Sequence, residues 1–288
     1  MQEIWTIQKV LNWTLPYFEK HQVPESRLSA ELLLSHVLKC KRLDLYLQFD
    51  RILTGPELKE YRSFIERRII HEPVAYILGE KEFMGLNFKL TPDVLIPRPE
   101  TEILVETALA EIKGREAKSI EVLDVGTGSG AIAISVGHYC RECRVTALDI
   151  SPAAIEVARQ NGEHLGVDNI KFLVMDALDL QVKNDEKYDY LLVNPPYIAE
   201  RDRKGLHPQI SNYEPGIALF SGENGLLFYS GFIPKIPSII KKGGWIFMEI
   251  GYDQKEKINI LLKESNFSGI EFIPDYQKIE RIAKARYE

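Results

Sequence analysis

Four consecutive residues, Asn194-Pro195-Pro196-Tyr197, stand at the end of a hydrophobic run and have the chemistry to hold a planar –NH2 group. Proline carries a carbonyl but no N–H. The side-chain carbonyl of Asn194 and the backbone carbonyl of Pro195 can therefore accept both protons of a bound amide or exocyclic amine, with no backbone donor from Pro195 or Pro196 to compete. Tyr197 can stack on the planar group. A nitrogen of this kind has its lone pair delocalised, so it must be gripped by acceptors while it faces an electrophile, and the pattern points to methyl transfer onto nitrogen. Taken alone, the four residues also suit a proline-stiffened turn that closes a strand. Their surroundings decide between the two.

Upstream, Ile120 to Gly130 reads IEVLDVGTGSG: an apolar strand carrying Asp124, then Gly126, Thr127, Gly128, Ser129 and Gly130 ahead of the helical stretch Ala131 to Val136. Glycines let the backbone approach a ligand closely, and the following helix N-terminus offers free N–H groups to a carboxylate or phosphate. The dinucleotide fingerprint G-x-G-x-x-G would place its last glycine where Ala131 stands, although that pattern tolerates alanine. A second strand, Arg144 to Ile150, ends in Asp149 and Ile150, about twenty residues beyond the glycines, where an acid hydrogen-bonds a ribose diol. A third, Ile170 to Met175, leads into Asp176 and Ala177, placed to meet an adenine edge, and a fourth, Tyr188 to Val193, delivers Asn194. Ligands of open α/β sheets bind outside the carboxyl ends of the strands, so all four elements converge on one crevice. NAD and S-adenosylmethionine both carry such a ribose. A dehydrogenase, however, gives no reason for the Asn-Pro-Pro-Tyr turn, and a non-catalytic binding protein gives no reason to keep every crevice residue.

With these residues in hand, the chain resembles the class I S-adenosylmethionine-dependent methyltransferases, and within them the HemK-type protein-glutamine N5-methyltransferases that modify peptide-chain release factors. The resemblance runs over nearly the whole chain. It includes Arg67-Arg68 through Pro73 to Gly79 and Phe83, the segment Leu95 to Glu102 (LIPRPETE), and Tyr213-Glu214-Pro215 followed by Ala218-Leu219 and Gly225-Leu226. It implies a Rossmann-like sheet of seven strands, mostly parallel, with helices on both faces and a final antiparallel pair from Ile270 to Ile273 and Arg281 to Arg286. It also implies that the loop Gly126 to Gly130 contacts the methionine portion of the cofactor, that Asp149 contacts its ribose, and that the Asn-Pro-Pro-Tyr turn binds the substrate glutamine amide. One departure is Ala177: the residue after the third-strand acid is often aromatic in such enzymes. Tyr197 or Phe83 is expected to face the sulfonium. Glu249, near the end of the strand-like Trp245 to Ile250, is expected to satisfy a loop amide.

Composition sets bounds on this reading. A chain of 288 residues with 45% hydrophobic residues accommodates one large domain and a smaller one. No apolar run reaches the roughly eighteen residues of a membrane span, and the first residues lack a signal-like basic region and apolar core, so a cytoplasmic protein is expected. Cys40, Cys140 and Cys143 make no disulfide framework. Cys140-x-x-Cys143 near His138 has metal-like or redox-like spacing, but no second pair completes a zinc set, and the segment reads as a plain loop with Arg141-Glu142 as the turn before the second strand. No metal is expected.

Residues 1–78 read as helices, with Leu33, Leu34, Val37 and Leu38 at amphipathic spacing and a capping-box pattern from Thr54 to Glu57. They form an expected substrate-recognition domain; 79–98 form a hairpin linker, with strands around Gly85 and Pro92 between Phe83 and Ile96, and 99–288 the catalytic domain. Residues 1–90 hold 13 Lys and Arg against 12 Asp and Glu, which leaves 23 against 30 for the rest. Enzymes that methylate adenine in nucleic acid use the same turn on a flipped base. A DNA binder should be basic, yet the pI is about 5.7, and Arg201, Arg203 and Lys204 are offset by Glu200 and Asp202. A protein partner, the release factor, is favoured over DNA or a membrane; glutamine methylation of a ribosomal protein is the nearest alternative.

Overall fold

The computed structural model describes residues 4–114, 119–183 and 186–288. The chain divides into two compact units, Met1–Glu80 with His207–Tyr213, and Lys81–Leu206 with Glu214–Glu288.

The first unit is helical: α1 (Ile7–Lys20), α2 (Ser26–Leu38), α3 (Arg42–Leu47), α4 (Gly55–Arg68) and α5 (Val74–Leu78). Leu33 and Leu34 are fully buried with Phe18, Leu45 and Tyr61, so the apolar stripe read in α2 is the seam of this core. Helix α4 starts at the expected capping box: Glu57 Oε2 accepts from the Thr54 N–H at 2.7 Å, and Thr54 Oγ1 accepts from the Glu57 N–H at 3.4 Å. Segment 207–213 belongs here because buried Arg68 donates to Gln209 Oε1 at 3.2 Å and the Tyr213 hydroxyl donates to the Ile70 carbonyl at 2.9 Å. Sequence patterning gave no sign that so distant a segment joins these helices.

The second unit opens with β1 (Glu80–Phe83) and β2 (Leu86–Lys89), a two-stranded hairpin. The strands lie earlier than the expected Phe83 to Ile96. Met84 and Gly85 both take positive φ, 52° and 71°, which is the backbone of a two-residue hairpin loop, so the strands must flank these residues. Helix α6 (Pro99–Lys113) then leads to β3 (Ile120–Val125), α7 (Ala131–Tyr139), β4 (Cys143–Asp149), α8 (Pro152–His164), β5 (Ile170–Val174) and β6 (Tyr188–Val193). After α9 (Pro208–Ser211, in the first unit) come α10 (Gly216–Leu219), α11 (Leu227–Phe232), α12 (Ile236–Ile239), β7 (Ile240–Glu249), α13 (Lys255–Glu264), β8 (Phe267–Pro274) and β9 (Glu280–Tyr287).

Seven strands form one sheet in the order β5-β4-β3-β6-β7-β9-β8, parallel except for β9, which runs antiparallel to both β7 and β8. The final antiparallel pair is thus where the resemblance implied it. Strand order reverses direction between β3 and β6, and the crevice of an open α/β sheet forms at that switch. Val122, Tyr190 and Leu192 pack on one face, Leu123, Val125, Leu191 and Val193 on the other, and each belongs to a separate buried cluster. Burial on both faces explains why β3 and β6 read as largely apolar runs rather than alternating ones.

Two cysteines depart from expectation. Cys140 and Cys143, read as a plain loop, form a disulfide across the turn between α7 and β4, their Cα atoms 5.5 Å apart. That separation lies within the range a bridge can span. The bridge closes only Arg141 and Glu142, so it restrains little chain.

Candidate active site

At the carboxyl ends of β3, β4, β5 and β6 lies a cavity of about 750 Å³. Its wall includes Gly126, Thr127, Gly128 and Ser129 after β3, Asp149 and Ile150 after β4, Asp176 and Ala177 after β5, and Asn194 and Pro196 after β6. Gly130, Pro195 and Tyr197 are not among the wall residues.

The glycine loop is shaped by its own hydrogen bonds and by close approach. Gly126 and Thr127 N–H groups both donate to the Leu148 carbonyl, at 2.9 and 3.0 Å, which ties the end of β3 to β4. Gly126 and Gly128 take φ of 73° and 53°, a region that favours glycine, and both face the cavity. Gly130 also serves packing. A Cβ there would come within 2.7 Å of Ile134 Cδ1 and 3.2 Å of Ala158 Cβ, so its bare backbone lets α7 and α8 approach.

Asp149 organises two loops at once. Its Oδ2 accepts from the Gly128 N–H and its Oδ1 from the Ser151 N–H, each at 2.9 Å. Burial pushes the carboxyl up and these N–H donors oppose the shift. The carboxylate still has acceptor capacity for a ligand hydroxyl at the cavity wall. Asp176 Oδ1 accepts from the Leu178 N–H at 2.8 Å, closing a turn that presents Ala177 and Leu178 to the cavity. Aromatic character missing at Ala177 is supplied by Phe220 and Phe228, which line the cavity from a later segment; neither was singled out from sequence, where only the flanking Tyr213-Glu214-Pro215 and Gly225-Leu226 carried a signal. Glu214 fixes the start of that segment: its side chain, 1% exposed, accepts from the Ile96 N–H at 3.3 Å and forms an ion pair with Arg98.

Behind the Asn-Pro-Pro-Tyr turn stands a buried carboxylate. Glu249 does not meet a loop amide. Its Oε2 accepts from the Thr101 hydroxyl at 2.6 Å and its Oε1 from the Tyr197 hydroxyl at 3.1 Å. Asn194 Nδ2 donates to Thr101 Oγ1 at 3.1 Å. The Tyr197 hydroxyl thus points into the core; burial and the nearby carboxylate push its pKa up, so it stays a donor. Phe83 lies elsewhere, 1% exposed and edge-on to Phe88 at 6.1 Å. Neither ring, on this geometry, forms the cavity wall expected to face a sulfonium.

Gln254 completes the turn's support, its Nε2 donating to the Tyr197 and Gly225 carbonyls at 3.0 and 3.2 Å while its Oε1 accepts from the Gly251 N–H at 2.8 Å. Gly225 takes φ of 75°, and a Cβ on it would sit 2.2 Å from the Tyr197 carbonyl oxygen. Gly225→Ala is therefore expected to lower unfolding stability by about 2–3 kcal/mol and to displace the turn, measured by urea denaturation together with turnover.

Asp124 is fully buried beneath the glycine loop. Its Oδ2 accepts from the Thr127 hydroxyl at 2.6 Å and the Ala133 N–H at 3.1 Å, while Oδ1 has no hydrogen-bond partner among the described residues. Burial pushes its carboxyl up from 3.8 to about 7. A carboxyl raised in the folded state favours folding less once it must ionise: below the unfolded pKa it has no effect, and between about 4 and 7 stability falls as pH rises. Asp124→Asn removes that dependence. Relative to wild type, the variant should gain stability between pH 5 and pH 8, by about 2–3 kcal/mol, in denaturant titrations at the two pH values.

The exposed cluster at Arg201 to Lys204 is a solvated turn. Arg203 pairs with Glu200 at 2.9 and 3.0 Å and its guanidinium lies 3.6 Å from the Phe220 ring centroid. No helix among the described residues is long and apolar enough to cross a membrane.

A doubly wound sheet with a glycine loop after its first central strand, a cavity-lining acid after the next and Asn-Pro-Pro-Tyr after β6 defines an S-adenosylmethionine-dependent methyltransferase. Similarity to known proteins agrees and goes further. Residues 9–79 match the PrmC N-terminal domain and residues 116–275 a methyltransferase domain. A release factor glutamine methyltransferase of Geobacter sulfurreducens is 38% identical over 284 residues, covering 99% of this chain and 98% of that protein. The enzyme of the same name from Chlorobaculum tepidum is 38% identical over 286 residues, 97% of either chain. The chain belongs to the release factor glutamine methyltransferase family. Among solved structures, the human methyltransferase 10 domain containing protein has a TM-score of 0.50 at 17% identity, covering 71% of this chain and 90% of that one, a likeness of fold alone.

Proposed function

We propose that this protein transfers a methyl group from S-adenosylmethionine to the side-chain amide nitrogen, N5, of the glutamine in the Gly-Gly-Gln loop of peptide-chain release factors. The observation that carries the reading is Asn194 on the cavity wall with Nδ2 already committed to Thr101, which leaves Oδ1 as the acceptor for a substrate –NH2. The family relatives, named for that substrate, support the choice of glutamine over adenine, as does the acidic pI of about 5.7.

The cavity fits the cofactor. Its glycine loop leaves room that Cβ atoms would fill, Asp149 offers lone pairs to a diol, and Ile150, Met175, Leu178 and Phe228 supply an apolar slot for a purine. Gly126 to Ser129 would hold the methionine end, Asp149 the ribose, and Asp176 with Ala177 the adenine. When bound, S-adenosylmethionine supplies an electrophilic methyl on a sulfonium sulfur and leaves as S-adenosylhomocysteine. What the chain contributes is position. Asn194 Oδ1 and the Pro195 carbonyl take the two amide protons, Pro196 closes the wall beside them, and the nitrogen lone pair is turned toward the methyl group. An amide nitrogen is a poor nucleophile, so most of the rate comes from this placement at roughly 3 Å. One N–C bond forms, one C–S bond breaks, and the amide gives up one proton to water; no covalent enzyme intermediate is required.

The helical unit, residues 1–78 in this reading, docks the release factor, the hairpin segment 79–98 connects it, and 99–288 do the chemistry in the cytoplasm, without metal. The test is transfer of labelled methyl from S-adenosylmethionine to a purified bacterial release factor. The same factor with its loop Gln changed, a ribosomal protein and duplex DNA serve as parallel substrates. Labelling of the intact factor alone is expected; labelling of either other substrate in its place overturns the reading.

A further inference from the structure

We infer that Glu249, acting through the Thr101 hydroxyl, sets which way round the Asn194 amide is held, so that its oxygen and not its NH2 meets the substrate. The inference rests on the reading of Asn194 as the acceptor for the glutamine amide. An asparagine side chain has nearly the same shape either way round, and only its hydrogen-bond partners select the orientation. At this site the wrong orientation would offer donors to a group that itself needs acceptors.

The selection runs through three atoms. Glu249 Oε2 lies 2.6 Å from Thr101 Oγ1, and Thr101 Oγ1 lies 3.1 Å from Asn194 Nδ2. A hydroxyl has one proton. With that proton given to the carboxylate, Thr101 can only accept from Asn194, which fixes Nδ2 toward Thr101. Thr101 is 3% exposed and Glu249 1% exposed, so water has little access to replace either partner. Burial pushes the Glu249 carboxyl up. A proton taken up there can sit on Oε1, shared with the Tyr197 hydroxyl at 3.1 Å, because that hydroxyl accepts as well as donates; Oε2 remains an acceptor for Thr101. The same carboxylate thus holds both ends of the Asn-Pro-Pro-Tyr turn, Asn194 through Thr101 and Tyr197 directly. Glu249 reaches this position from the end of β7, and Thr101 from the first turn of α6.

Glu249 and Thr101 are positioning residues, so the decisive measurements separate placement from binding and from folding. Thr101→Val keeps the shape and removes the hydroxyl; Thr101→Ser restores it. For Thr101→Val, kcat on the release factor is expected to fall on the order of tenfold or more, the effect of leaving a buried polar group without its partner. The dissociation constant for S-adenosylmethionine, measured by calorimetry, should stay within about threefold, a margin of under 1 kcal/mol. Thr101→Ser should recover most of kcat. A second readout needs no substrate. In 15N-labelled protein the Asn194 side-chain NH2 should show one proton protected from exchange in wild type and Thr101→Ser, and lose that protection in Thr101→Val. Wild-type kcat retained in a folded Thr101→Val variant, or an unprotected Asn194 NH2 in wild type, overturns the inference. Failure of the wild-type enzyme to label any release factor would instead sink the proposed function, and the NH2 protection would still decide the orientation.

Discussion

Asn194→Ala is expected to lower kcat for glutamine methylation by about two to three orders of magnitude, the scale seen when one preorganised polar group is removed from the reacting centre. The variant loses the acceptor that turns the amide nitrogen toward the methyl group, and it strips Thr101 of its 3.1 Å donor, so the pocket can reorganise around the gap. Affinity for S-adenosylmethionine should change little by comparison, since the glycine loop and Asp149 are untouched. Turnover under saturating cofactor, paired with calorimetric binding, distinguishes the outcomes. Turnover within threefold of wild type, in a protein with an unchanged melting transition, would remove Asn194 from the reaction and with it the Oδ1 role that gives its orientation a purpose.

Asp149→Ala should act on the other half of the site, weakening S-adenosylmethionine binding by about 100-fold or more while leaving kcat at saturating cofactor within severalfold. The magnitude follows from the loss of charge-assisted hydrogen bonds of about 1.5–3 kcal/mol each. Asp149 holds the Gly128 and Ser151 N–H groups at 2.9 Å, so its removal loosens the glycine loop as well as removing the proposed ribose contact. Asp149→Asn keeps one acceptor for one of those amides and should fall between the two. Calorimetric titration of each variant reads this directly, and cofactor affinity unchanged in Asp149→Ala would take Asp149 away from the ribose.

Much of the site was legible because its residues sit where local patterns end. Asp149, Asp176 and Asn194 each follow a largely apolar run that reads as a strand, and a parallel sheet brings the carboxyl ends of its strands to one edge. Gly126 and Gly128 announced a turn. What was misread involved contacts between distant segments. Glu249 and Thr101 are 148 positions apart, and nothing local to β7 indicates that its terminal acid meets two hydroxyls. Phe83 was placed near the sulfonium because it lies in a family motif, but the Met84-Gly85 loop turns its strand into the core. Gly130, read as a third glycine of the loop, also spaces α7 from α8, a role no local pattern shows.

The order of apolar runs, glycines and acids by itself determined an α/β domain, a crevice at its strand ends and the Asn-Pro-Pro-Tyr turn, because hydrophobic periodicity and glycine backbone freedom act over a few residues; the seven-stranded topology was implied by the family resemblance. Only the tertiary structure decided the carboxylate behind that turn, the aromatic wall brought by Phe220 and Phe228, and the joining of 207–213 to the helical unit. Those depend on which side chains meet once β7, α6 and the segment after β6 have packed, and the directions of hydrogen bonds in a buried network are settled by all its members together.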